Sequence, residues 1–204
     1  MDAVKNPAKP SARERLLASA DELFYREGVH TVGIDRVIEH AGVAKASLYN
    51  TFGSKEALIR AYLELRRTRV ADRILRHIEG LEGPRAKLLG VFDAQSLVYA
   101  TPNYRGCAFV AASAEAHLGD QVVEASDAAR AWVRTLFTEL AEQAGVADAP
   151  GLARRRQLLY DGGGVSARMD RDPSAGAVAR ECAELLLDAA LAASARQPEP
   201  AARG

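Results

Sequence analysis

Within the seven residues from 45 to 51 the chain gathers side chains that can grip a charged polymer. Lys45 is a cation, Ser47, Tyr49 and Thr51 carry hydroxyls, Asn50 carries an amide, and Lys55 adds a second cation just beyond. Donors and acceptors of these kinds reach phosphate oxygens and the edges of bases. Little else in the chain is arranged for chemistry. The histidines His30, His40, His77 and His117 lack metal-ligand spacing, so no metal is expected. Cys107 and Cys182 form neither a disulfide framework nor a zinc pattern. Gly162, Gly163 and Gly164 do not make a phosphate loop, because no strand precedes them and no Lys-Ser follows. No G-x-S-x-G and no nucleophile–base arrangement stands out. Neither an enzyme nor a cofactor is expected.

Such polar residues act only if packed elements present them together. The chain has 204 residues, 48% of them hydrophobic and only 6% aromatic. It is rich in Ala and Leu and poor in β-branched runs, which favours helices. Its net charge is zero, so it is not a basic nucleic-acid coat, and any contact with DNA must use a local patch. Residues 1–56 carry eight Lys and Arg against eight Asp and Glu. The basic side chains must therefore be segregated to one face. No apolar h-region follows Lys5 and Lys9, and no apolar stretch is long enough to span a membrane, so a cytoplasmic protein without membrane contact is expected.

Helical periodicity runs almost throughout. Ser11 caps a first helix over 11–27, with Glu14 completing a capping box and Leu16, Leu17, Ala20, Leu23 and Phe24 as its apolar stripe. Two short helices follow, over 34–40 and 45–51, joined at Gly42. Gly53 ends the second, and Ser54 caps a long helix reaching about 78. Beyond Gly80, Gly83 and Pro84 the spacing predicts helices over 84–99, 107–116, 120–144, 152–168 and 174–195. The fourth helix bears Arg66, Arg67, Arg69, Arg73 and Arg76, read as a solvated, salt-bridged face with Asp72 and Arg76 at i,i+4. Residues 107–116 are apolar nearly all round, which implies burial on most sides.

Two short helices behind a longer amphipathic one have the layout of a helix-turn-helix, whose second helix enters the major groove. Residues 33–56, GIDRVIEHAGVAKASLYNTFGSKE, resemble the signature of the TetR family of transcriptional regulators. The resemblance lies in Val37-Ile38, Ala41-Gly42-Val43, Lys45, Leu48-Tyr49, Phe52 and Ser54-Lys55-Glu56, with Leu16 to Gly28 similar to that family's first helix. It implies an all-α fold: a three-helix helix-turn-helix domain followed by a larger helical ligand-binding and dimerisation domain. It implies a homodimeric repressor that binds a palindromic double-stranded DNA operator and is released by a small-molecule effector. Lys45 and Lys55 would touch phosphates, Ser47, Tyr49 and Asn50 would lie at the DNA surface, and Val43, Leu48 and Phe52 would be core. Where the family usually has Ser or Thr this chain has Gly33, so Thr31 is expected to supply the missing hydroxyl.

The expected division is a disordered arm over 1–10, a DNA-binding domain over 11–53 with its motif at about 33–52, a connecting helix over 54–80, the ligand-binding and dimerisation domain over 81–196, and a disordered tail over 197–204. Phe92, Gln95, Tyr99, Cys107, Phe109, Glu115, Trp132 and Tyr160 are the candidate lining of the effector cavity. The dimer is expected to use the last two helices, the final one through Val178, Cys182, Leu185, Leu186, Ala189 and Ala193. Two alternatives stay open at this stage. One is a regulator switched by oxidation of Cys107, with Arg105 the nearby cation. The other is an all-helical protein that does not bind DNA.

Overall fold

The computed structural model describes residues 10–115 and 121–196. Among these residues there are nine helices and no strand: α1 (Ala12–Glu27), α2 (Ile34–Ala41), α3 (Lys45–Phe52), α4 (Lys55–Glu79), α5 (Gly83–Tyr99), α6 (Ala108–Glu115), α7 (Gln121–Gln143), α8 (Ala149–Met169) and α9 (Ala175–Ala195). The expected all-α fold, a small helix-turn-helix followed by a larger helical region, is what forms. The expected disordered arm lies outside the described residues except for Pro10, and the expected tail lies outside them entirely.

The helix starts follow local chemistry. Ser11 Oγ accepts from Glu14 N at 3.2 Å, and the Glu14 carboxylate accepts from Ser11 N at 2.7 Å, closing the capping box of α1. Ser54 Oγ accepts from Ala57 N at 3.1 Å, inside the first turn of α4. One start differs from expectation. Residues 149–151, expected as loop, are already helical, because Asp148 accepts from Gly151 N at 2.9 Å and Pro150 suits a first turn.

Among the described residues internal contacts mark two compact units, one of residues 10–66 with 108–115 and 121–126, and one of residues 67–107 with 127–196. In the first, α1 packs on α2 and α3. Leu16, Ala20, Leu23, Val37, Leu48, Leu58, Tyr62 and Leu63 make its core, and the Phe24 and Tyr62 rings meet edge to face at 5.6 Å. Burial of such side chains, about 1.5–3 kcal/mol each, holds helices too short to stand alone.

In the second unit α5, α8 and α9 pack together. Its core includes Ile74, Leu88, Phe92, Val133, Phe137, Leu140, Leu152, Ala183 and Leu187. Two expectations are corrected here. Arg66 is not a solvated charge: its guanidinium binds Asp21 at 2.5 Å and lies 3.9 Å from the centre of the Tyr25 ring, tying α4 to α1. Helix α6 is not buried all round, since Val110, Ser113 and Ala114 are exposed opposite Ala108, Phe109 and Ala112.

Candidate functional site

The turn between α2 and α3 is made by Gly42, which takes a left-handed conformation (φ 61°, ψ 42°) and donates its N–H to Ile38 and Glu39 carbonyls. A side chain there would be strained, and the turn fixes the angle at which α3 leaves α2. Helix α3 then has one buried residue, Leu48, at 0% exposure. Val43 and Phe52, expected as core, are half-buried, and Arg13 lies over the Phe52 ring at 5.6 Å.

With Leu48 inward, the polar residues face out. Tyr49 is 47% exposed, Lys45 and Asn50 are exposed, and Ser47 is half-buried. Thr51 is exposed, but its hydroxyl donates to the Ser47 carbonyl at 2.6 Å, so it is spent on the helix backbone. Gly33 takes the N-cap position of α2 with no side-chain hydrogen bond, and Thr31 is exposed two residues before it. Lys55 opens α4 and its Nζ reaches the His30 carbonyl at 3.5 Å.

Lys45, Arg26 and Arg36 are held by carboxylates. Lys45 Nζ donates to Asp35 at 2.8 Å, and that hydrogen bond, followed by the attraction of the charge, raises the lysine pKa above its usual value. Arg36 and Arg26 both bind Glu27 and hold its carboxyl below the ordinary range, Arg36 with the larger effect. Arg15 donates to the carbonyls of Ala41 and Gly42, at 3.4 and 3.0 Å, and so braces the turn itself.

The second group of candidate residues divides. Phe92, Gln95 and Tyr99 are buried on α5, and Tyr160 on α8 meets the Phe92 and Phe137 rings edge-on at 6.4 and 6.2 Å. Gln95 Nε2 donates to the Tyr160 carbonyl at 3.0 Å. Trp132 is half-buried against the same core, and Cys107 is exposed but near enough to Tyr99 and Tyr160 to interact with both electrostatically. Burial pushes both tyrosine hydroxyls up in pKa. Phe109 and Glu115 lie in the first compact unit instead. There the Phe109 carbonyl accepts from Ser126 Oγ at 3.5 Å, and the Glu115 carboxylate accepts from His30 N at 3.0 Å.

Several residues around this interior were not singled out in the sequence. Tyr104 Oη donates to the Gly164 carbonyl at 3.1 Å and its ring sits 5.0 Å from that of Tyr99. Asp161 pairs with Arg130 at 2.9 Å and accepts from Gln157 at 3.1 Å. The backbone is closely approached at Gly163 and Gly164, where a Cβ would come within 3.2 Å of Ala179 Cβ and 3.2 Å of Tyr104 Oη, so that the neighbour would have to give by a few tenths of an ångström. Tyr99 Oη is buried there without a hydrogen-bond partner. The glycine triplet was the one available signal for this close approach.

Comparison with known proteins follows the same division. Residues 16–62 match the profile of the bacterial regulatory proteins of the tetR family. The HTH-type transcriptional regulator UidR of Escherichia coli K12 is 33% identical over 81 residues, 40% of this chain and 41% of its own length. The HTH-type transcriptional activator FasR of Mycolicibacterium smegmatis is 42% identical over 52 residues, 26% of this chain and 24% of its own length. The chain thus matches less than half the length of these curated relatives. Solved structures match along nearly the whole chain. A TetR-family transcriptional regulator from Streptomyces coelicolor has 32% identity and a TM-score of 0.81, covering 88% of this chain and 95% of its own. A putative regulator of the same kind from Streptomyces avermitilis has 31% identity and a TM-score of 0.80, covering 89% and 98%.

Proposed function

The chain belongs to the tetR family of bacterial regulatory proteins, a DNA-binding transcriptional regulator, and from that premise we propose that it is a homodimeric repressor which leaves a palindromic operator when a small molecule binds its larger helical region. The observation that carries the DNA-binding part is the geometry of α3. Leu48 anchors it inward, and Lys45, Ser47, Tyr49 and Asn50 project from its other sides. In this reading Asn50 and Ser47, one turn apart, meet base edges. Lys45, Lys55 and the Thr31 hydroxyl meet phosphates at the places where the chain passes the backbone.

The division of labour is part of the proposal. Residues 11–53 read DNA, residues 54–80 connect, and residues 81–196 bind effector and partner. For the effector we assign the interior formed by Phe92, Gln95, Tyr99 and Tyr160, with Trp132 and Cys107 at its margin. It joins apolar rings with a few polar atoms, one of which, Tyr99 Oη, lacks a partner, as small-molecule sites do. For the partner we assign the outer faces of α8 and α9. Leu158 (71% exposed), Val165 (44%) and Met169 (74%) follow one another along α8, and Val178 (55%) and Leu185 (71%) along α9. An exposed apolar stripe of this length marks an interaction surface.

The test is retardation of the DNA immediately upstream of the protein's own gene, followed by transcription in vitro from that fragment. A shift at low salt and a fall in transcript are expected. No shift with any neighbouring promoter fragment would remove the reading, and a rise in transcript would make the protein an activator.

A further inference from the structure

The reader carries an anion of its own beside a candidate phosphate contact. Asp35 lies in the first turn of α2, and its carboxylate accepts from Lys45 Nζ, the first residue of α3, at 2.8 Å. Three neighbouring carboxylates bind parts of the scaffold. Glu27 is 25% exposed and grips both Arg26 and Arg36, Glu14 closes the cap of α1, and Asp21 holds Arg66 against Tyr25. Asp35 differs. Its side chain is 77% exposed and that of Lys45 60%. Pairs this open to water add little to stability, so scaffold strength does not account for it.

Its consequence lies at the DNA surface. A phosphate that approaches Lys45 must displace a carboxylate already bound there, and it is repelled by that carboxylate as it comes. We propose that Asp35 limits sequence-independent DNA affinity by occupying the Lys45 ammonium. Phosphate contacts supply nearly all the affinity for random DNA, and random sites vastly outnumber operators in a genome. Weakening this one contact leaves the protein dependent on base contacts from α3 for stable residence. The proposal rests on the reading of Lys45 as a phosphate contact.

The experiment measures binding of the full chain to a random-sequence duplex and to the upstream fragment across a salt series, for the natural protein, Asp35→Asn, Asp35→Glu, Lys45→Ala and the double variant. Asparagine keeps the size, and circular dichroism checks that each variant is folded. Asp35→Asn should bind about two- to tenfold tighter at low salt. Its salt slope should steepen by about one per protomer. Asp35→Glu should stay near the natural protein. In the Lys45→Ala background the same Asp35→Asn change should have little effect. If Asp35→Asn is no tighter, or tightens equally without Lys45, the proposal is wrong. If it loses affinity only for the upstream fragment, Asp35 reads a base instead, and the proposal is again wrong. If the natural protein and every variant fail to bind any duplex, the regulator reading falls with it.

Discussion

Asn50 and Lys55 separate two kinds of contact that one binding constant would merge. Both lie at the reader surface, Asn50 on the outer side of α3 and Lys55 at the start of α4. A phosphate contact carries affinity without sequence information. Lys55→Ala is therefore expected to weaken the upstream fragment and random DNA by similar factors, and to make the slope of log K against log salt shallower by about one per protomer. A base contact does the reverse. Asn50→Ala is expected to lose about 1–3 kcal/mol on the upstream fragment and to leave random DNA nearly unchanged. Retardation titrations on the two duplexes decide it. Equal loss on both for Asn50→Ala would turn Asn50 into another phosphate contact.

Among the elements, α8 is joined to both α5 and α9 through a residue no pattern marked. Arg156 is 0% exposed. Its guanidinium donates to the Ala183 carbonyl on α9 at 3.1 Å and the Leu88 carbonyl on α5 at 2.5 Å, and lies over the Phe92 and Phe137 rings. It ties three helices through backbone carbonyls and aromatic faces, and burial lowers its pKa to about 10. Cutting it back should leave a cavity and remove both donors, so Arg156→Ala is expected to cost about 3–5 kcal/mol. A flexible apolar chain of similar length fills the space without a charge to desolvate. Arg156→Met is therefore expected to cost less than about 1.5 kcal/mol. Urea denaturation of both variants measures the difference. Equal losses would mean that the hydrogen bonds, not the volume, hold the helices.

At the scale of the whole molecule the proposed assembly depends on the exposed stripes of α8 and α9. Gly162 falls on the same stripe, between Leu158 and Val165, and a Cβ there would meet nothing within 4 Å in the protomer. A glycine on an apolar helix face with empty space before it suits the close approach of a partner helix. A charge at the centre of such a face would be desolvated on assembly without a partner. Leu158→Glu and Leu185→Glu are expected to convert the dimer to a monomer at micromolar concentration, with helicity retained and binding to the upstream fragment lost. Sedimentation and circular dichroism report the two properties independently. A natural protein that sediments as a monomer would already refute the dimer.

What the sequence determined by itself is local in origin. The cap at Ser11, the break at Gly42, the Lys45 to Lys55 cluster and the all-helical course depend on residues a few positions apart, where capping and periodicity act directly. The outward direction of Asn50 followed from the inward direction of Leu48 two positions before it. Tertiary structure decided the rest, because it brings together residues that no local rule connects. Asp35 meets Lys45 across ten residues, Asp21 meets Arg66 across 45, and Arg156 reaches Leu88 across 68. Glu115, expected at the effector cavity, accepts from His30 N, 85 residues away. Composition showed a reader with balanced charge. Only packing could show that Asp35 pairs with Lys45, Glu27 with Arg36 and Asp21 with Arg66, since pairing depends on distances of a few ångströms that the chain sets by folding.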